Sequence, residues 1–252
     1  MGIRERLRRT RAPRQGEVVA AHDLDSADPA DRAIVERAQP LTMTSVPRLL
    51  ALIDSVRYCV RRGIPGAFAE CGVWRGGSVL AMLLTLRDMG VDDRDVYLFD
   101  TFEGMTEPTE YDTSRYHRPA LDEWREAQRD DERLYGPLFD PVIFNVGAVR
   151  DRLVETGYPA SRLHLVEGPV EETIPAAAPE EIALLRLDTD WYESTLHELN
   201  HLYPRVSANG VLIIDDYGHW EGCRRAVNEY FREADAPLLS RIDYTARLAV
   251  KA

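Results

Sequence analysis

From Ser45 onward the chain alternates two hydrophobic rhythms. In "SVPRLLALIDSVRYCVRRG" the apolar residues recur at helical spacing, with Leu49, Leu52, Ile53, Val56 and Val60 on one stripe. Ser45 is suited to cap this helix, Pro47 to its first turn and Gly63 to its end. Short apolar runs of strand length then alternate with helical patterns. "GAFAECG", "DVYLFDTF", "RLHLVEG", "EEIALLRLD" and "GVLIIDDY" read as strands, while "GGSVLAMLLTLRDMG", "DPVIFNVGAVRDRLVETG", "YESTLHELNHLYPRV" and "CRRAVNEYFREAD" read as helices. This order predicts an α/β fold whose mostly parallel sheet is covered on both faces. The closing pieces, "LLSRIDY" and "ARLAVKA", lie too close together for a helical crossover and predict an antiparallel hairpin at the sheet edge.

Two segments depart from the rhythm. Residues 1–40 are polar and weakly patterned and predict an arm with a short helix, leaving 41–252 as one domain. From Met105 to Pro141 the chain is charged and turn-rich, with Tyr111, Tyr116, His117, Trp124 and Tyr135 interspersed. A connection this long is disordered or a functional cover, and the aromatics favour a lid spanning about 105–141.

Composition narrows the function. The net charge of −12 argues against nucleic acid as a partner, because phosphate binding needs a basic face. "RERLRRTRAPR" is a local basic run of the kind that is usually solvated. No apolar stretch approaches the roughly 18 residues of a membrane span, and no signal-peptide pattern is present, so a cytoplasmic location away from membranes is expected. Cys59, Cys71 and Cys223 show no metal or disulfide spacing and read as small core residues. Lys251, at the extreme terminus, is the only lysine, which removes any mechanism that needs a lysine base inside the fold.

The candidate chemistry sits at the carboxyl ends of the strands, where open parallel sheets bind ligands. Glu70, Asp100, Glu167, the pair Asp188 and Asp190, and the pair Asp215 and Asp216 all fall there. In "AECGVWRGGS", Gly72 permits a sharp turn, and Gly76 and Gly77 let helix-start amides approach a ligand. Trp74 occupies the place of the second glycine of GxGxxG, so the dinucleotide fingerprint fails. Asp100 suits the hydroxyls of a ribose, or else caps the turn that follows it. Asp190, Asp215 and Asp216 would meet above neighbouring strands. Two carboxylates about 4 Å apart repel by roughly 4 kcal/mol at an effective dielectric of 20, so such a group calls for a proton or a cation such as Mg²⁺, unless the three are separate caps on a solvated rim. His219 and His117 are rival bases or acceptor contacts; His197 and His201 share a helix without any HExxH pattern. Tyr217 and Trp220 suit either a sugar ring or the core.

"AECGVWRGGSVLAMLL", "DTFEGM", "LRLDTDWYESTLHELNHLYPRVSANGVLIIDDY" and "CRRAVNEY" together resemble the macrocin O-methyltransferase family, the TylF and MycF type, from about Thr42 to Tyr244. The resemblance implies a Rossmann-like class I methyltransferase fold with a seven-stranded sheet. It also implies methylation of a sugar hydroxyl with S-adenosylmethionine and Mg²⁺, and a homo-oligomer. By position, Asp190, Asp215 and Asp216 match the metal-site aspartates, and Asp190 also matches the proposed base. Glu70, Gly72, Val73, Trp74 and Ser78 match the turn around the methionine part of the cofactor. Asp100, Thr101 and Phe102 match the ribose and adenosine contacts, Gly168 the adenine-side loop, and Asp188 a position beside the sulfonium. Thr189 stands where familiar members have glycine, and "YTARLAVKA" lacks their usual aromatic finish. The acceptor is thereby left open between a sugar on a natural product, a nucleotide-linked sugar and a phenolic metabolite. An NAD-dependent nucleotide-sugar oxidoreductase or a non-catalytic nucleotide-binding module would also use Glu70, the glycine turn and Asp100, but neither needs convergent aspartates.

Overall fold

The computed structural model describes residues 24–233 and 236–252. In chain order its elements are α1 (Pro29–Ala38), α2 (Val46–Arg61), β1 (Ala67–Cys71), α3 (Gly77–Asp88), β2 (Val96–Asp100), α4 (Ala120–Arg129), α5 (Val146–Val154), β3 (Leu163–Glu167), α6 (Val170–Thr173), β4 (Ile182–Leu187), α7 (Tyr192–Leu202), β5 (Val206–Ile214), α8 (Glu221–Glu233), β6 (Ser240–Arg241) and β7 (Arg247–Val250). The Ser45 hydroxyl accepts the Arg48 N–H at the start of α2, as the capping pattern requires. Leu49, Leu52, Ile53 and Val56 of its stripe are fully buried, and Gly63 takes a left-handed φ of 60° just beyond the helix.

The strands form one sheet in the order β3-β2-β1-β4-β5-β7-β6. β1 to β5 are parallel, while β7 runs antiparallel between β5 and β6. The closing hairpin is thus present, with β6 as the outermost strand. From β1 the chain winds outward to β3, then returns to β4 on the other side of β1. The crevice at the carboxyl ends of β1 and β4 is therefore the switch point at which such sheets bind ligands.

Alternating strand residues feed two cores. Phe68, Leu98, Leu184 and Ile213 pack under α1, α2, α3 and α5, whereas Ala69, Phe99, Leu185, Leu212 and Ile214 pack with Leu199 and Leu202 of α7 and Val227 of α8. Ile34, Val35 and Ala38 of α1 are buried in the first core, so the helix expected in the N-terminal arm is packed on the domain. The arginine-rich run lies outside the described residues. Lys251 donates to the carbonyls of Tyr203, Pro204 and Val206, at the end of the sheet away from the crevice. Cys59, Cys71 and Cys223 are free and buried. Among the described residues no helix is long and apolar enough to cross a membrane.

The 105–141 segment is an ordered cover containing α4. Asp112, fully buried, accepts the Thr109 N–H and hydroxyl and also the Tyr192 N–H at 2.8 Å, capping α7 from outside that helix. The Trp191 indole donates to the Thr106 carbonyl at 3.1 Å, which fastens the cover beside the end of β4.

Candidate functional site

The pleat decides which acids meet. Glu70 is the register partner of Arg186, and β4 continues past Leu187 as Asp188 donates its N–H to the Cys71 carbonyl. Arg186 and Asp188, two residues apart, project from the same sheet face. Arg186 is 1 % exposed and at the centre of the acid cluster. Its guanidinium donates to Glu70, to Asp188 at 2.7 Å, to Asp215 at 2.6 Å and to the Thr44 hydroxyl at 2.8 Å. Arg48, from the first turn of α2, donates to the second oxygen of Asp215 and pairs with Asp243 at 3.1 Å. Burial opposes both guanidinium charges, and the surrounding carboxylates more than offset it, holding both arginines above their ordinary value.

The carboxylates whose ligand atoms converge within 4.8 Å of one another are Asp188, Asp215 and Asp216. The sequence pattern grouped Asp190 with Asp215 and Asp216; in the structure Asp188 holds that place. The cause is local: Asp188 continues the strand, whereas Asp190 adopts a left-handed φ of 67° that turns it out of the strand direction. Asp190 still lines the same crevice, beside Asp216 and Trp220. Burial, reinforced by Asp188, pushes Asp190 up to about 7, and burial raises Asp188 and Asp216 as well. One oxygen of Asp216, Oδ2, is buried without a hydrogen-bond partner. A buried carboxylate oxygen left orphaned beside two further carboxylates is the donor set expected of a small hard cation, so these residues fit Mg²⁺.

The turn after β1 lies close against this group. A Cβ on Gly72 would stand 1.9 Å from the Asp188 carbonyl, and Gly72 has a φ of 80°, so only glycine fits. Asp100 accepts the N–H groups of Val73 at 2.6 Å, Trp74 at 2.9 Å and Phe102 at 2.8 Å. It fixes the glycine turn and its own following turn, realising the capping alternative, and burial nevertheless raises its pKa. Ser78, in the first turn of α3, forms a hydroxyl cluster with Thr42 and Thr44.

A cavity of about 410 Å³ collects most of the residues singled out from the sequence. Gly72, Val73, Trp74, Ser78, Asp100, Thr101, Gly168, Asp188, Asp190, Asp215, Asp216 and His219 all line it. Glu70 and Phe102 do not: Glu70 is consumed by Arg186, and Phe102 is 3 % exposed within the first core. Both stand directly behind residues that do line it, Glu70 behind Gly72 and Phe102 behind Thr101. The cover supplies Met105, Thr106, His117, Tyr135, Leu138 and Phe139. At the acidic end, Nδ1 of His219 lies 2.9 Å from the Tyr244 hydroxyl, and the His219 ring stacks on Tyr116. His117 stacks on Trp220. Burial, His117 and Arg48 all push His219 down, which favours the uncharged imidazole. His197 and His201 remain on the outer part of α7, with His197 on the Ile174 carbonyl.

Arg48 and Arg186 were not found from the sequence. Arg186 was hidden inside an apolar strand run; a charge at such a position requires partners, and its spacing of two from Asp188 was the available signal.

The sheet order, with its antiparallel β7 beside β5, and the acid-floored cavity at the β1/β4 switch point define a Rossmann-like α/β fold of the class I methyltransferase type. The family model for macrocin-O-methyltransferase (TylF) matches residues 15–249. The chain belongs to this family and is an O-methyltransferase. It is 35% identical over 213 residues to the 8-demethyl-8-(2,3-dimethoxy-alpha-L-rhamnosyl)-tetracenomycin-C 4'-O-methyltransferase of Streptomyces olivaceus, covering 82% of this chain and 74% of that one. It is 35% identical over 199 residues to the mycinamicin III 3''-O-methyltransferase of Micromonospora griseorubida, covering 75% and 69%. Among solved structures, the O-methyltransferase NovP is similar with a TM-score of 0.71 at 30% identity, over 84% of this chain and 82% of that one.

Proposed function

We propose that this protein moves a methyl group from S-adenosylmethionine to a hydroxyl of a sugar carried on a natural product, with Mg²⁺ at Asp188, Asp215 and Asp216 and with Asp190 as base. The observation that carries the reading is the convergence of those three carboxylates beside a glycine turn that only glycine can form. The two curated relatives are named for a rhamnosyl tetracenomycin and for mycinamicin III, which favours a glycoside acceptor.

The chain's own residues supply most of the work. Ser78, in the first turn of α3, presents its hydroxyl at the cavity wall to the carboxylate of a methionine moiety. Val73 and Trp74, held by Asp100, form the wall along the adenosine, and Gly168 closes the adenine end. The cover and the Tyr116, His219 and Tyr244 group exclude water and offer flat faces to a sugar. A divalent cation, when bound, supplies positive charge that lowers the pKa of a nearby hydroxyl. Asp190 accepts the proton of the acceptor hydroxyl. Its elevated pKa suits it to hold that proton near neutral pH. Alignment of acceptor oxygen and methyl group then provides much of the acceleration. His219, already engaged by Tyr244, is assigned to the acceptor side.

Asp190→Asn tests the reading. The variant is expected to bind S-adenosylhomocysteine as the wild type does and to lose turnover on a rhamnosyl glycoside by roughly 10²–10⁴-fold, the usual range for a general base. Full turnover by the variant would remove Asp190 from the mechanism.

A further inference from the structure

Glu198, on α7, is fully buried, and no step described above uses it. Its Oε1 accepts the Thr189 hydroxyl at 3.0 Å, and Cys71, buried at the end of β1, is the other side chain with which the carboxyl group interacts. Its Oε2 has no hydrogen-bond partner. A buried acid with one unsatisfied oxygen destabilises a fold, so its presence calls for a compensating role.

Its two partners belong to the two loops that matter most. Cys71 ends β1 and directly precedes Gly72, while Thr189 stands between Asp188 and Asp190. These loops already touch, because Asp188 donates to the Cys71 carbonyl at 2.9 Å. The β4–α7 loop is also strained: Asp190 is a non-glycine residue in the left-handed region.

We propose that Glu198 is a positioning residue which, through the Thr189 hydroxyl, holds the Asp188–Asp190 loop in register with the cofactor turn after β1. Burial pushes its carboxyl group well above the usual range. Loop and helix thus carry matching side chains, a hydroxyl donor at Thr189 and a carboxyl acceptor at Glu198.

This inference rests on the methyl-transfer reading. It is tested in the full chain with Glu198→Gln, Glu198→Leu, Thr189→Val and the Thr189→Val/Glu198→Leu double variant. The measurements are S-adenosylhomocysteine affinity by calorimetry, kcat and KM on a rhamnosyl glycoside, and melting temperature. Glu198→Gln, neutral and able to accept the same hydroxyl, is expected to behave as wild type with an unchanged pH profile. Glu198→Leu is expected to lose about tenfold to a hundredfold in kcat, the scale of a small misplacement of reacting groups. Its melting temperature should be unchanged or higher, because an unsatisfied buried acid has been removed. Thr189→Val should lose kcat similarly, and the double variant should be no worse than Glu198→Leu alone. Wild-type kcat in Glu198→Leu overturns the proposal. So does a melting temperature that falls in step with kcat, or a Glu198→Gln as impaired as Glu198→Leu. A wild-type protein that fails to bind S-adenosylhomocysteine overturns the methyl-transfer reading instead.

Discussion

Arg186 and Asp215 come from adjacent strands and meet at 2.6 Å within the core of the site, where each is nearly inaccessible to water. The same guanidinium holds Asp188, so one cation fixes two of the three convergent carboxylates, while Arg48 engages the second oxygen of Asp215.

Removing this cation should be costly. Arg186→Met leaves Glu70, Asp188 and part of Asp215 uncompensated in a buried site, and a broken buried pair destabilises by about 3–5 kcal/mol. Arg186→Lys keeps the charge but not the fork that reaches Glu70, Thr44 and both aspartates, and should fall between Met and wild type. Chemical denaturation of the three proteins checks the order.

Metal and pH should act together on stability. Burial raises the folded-state pKa of Asp188, Asp190 and Asp216 above the ordinary 3.8, with Asp190 up to about 7. Between those values the folded protein keeps protons that the unfolded chain has lost. The contribution of these groups to stability is therefore fully present below about 4 and is lost as pH rises through the raised folded-state values, about 7 for Asp190. A cation binds the carboxylate form, so Mg²⁺ should raise the melting temperature more at pH 8 than at pH 5.5. At 100-fold above Kd the gain is about 2.7 kcal/mol. An equal effect of Mg²⁺ at both pH values would contradict the assignment.

The fold was largely legible because each strand is a short apolar run and each is followed by a helical stripe or a turn. The acids at the strand ends were legible for the same reason, since a charge terminating an apolar run is conspicuous. Partnership was not legible. Glu70 and Asp100 are acids at strand ends like Asp188, yet one is taken by Arg186 and the other by three amides. The exchange of Asp190 for Asp188 in the convergent group arose from a left-handed backbone at Asp190, which residue type does not announce. Glu198 was hidden in a helix whose neighbouring Leu199 and Leu202 are core residues.

His219 separates two roles by kinetics. As an acceptor contact, His219→Ala should raise KM for the acceptor by about tenfold, the worth of a hydrogen bond or ring contact of roughly 1.4 kcal/mol, and leave S-adenosylhomocysteine affinity unchanged. Tyr244→Phe, which removes the hydroxyl facing His219, should do the same more weakly. A hundredfold fall in kcat at constant KM would instead make His219 the base.

The most direct measurement is transfer of a labelled methyl group from S-adenosylmethionine to a rhamnosyl glycoside by the wild type and Asp188→Asn, each with Mg²⁺ and with EDTA. The account predicts transfer by the wild type with Mg²⁺, loss with EDTA that added Mg²⁺ restores, and little transfer by Asp188→Asn under either condition. Equal transfer by the wild type in EDTA and by Asp188→Asn would contradict a cation held by Asp188, Asp215 and Asp216.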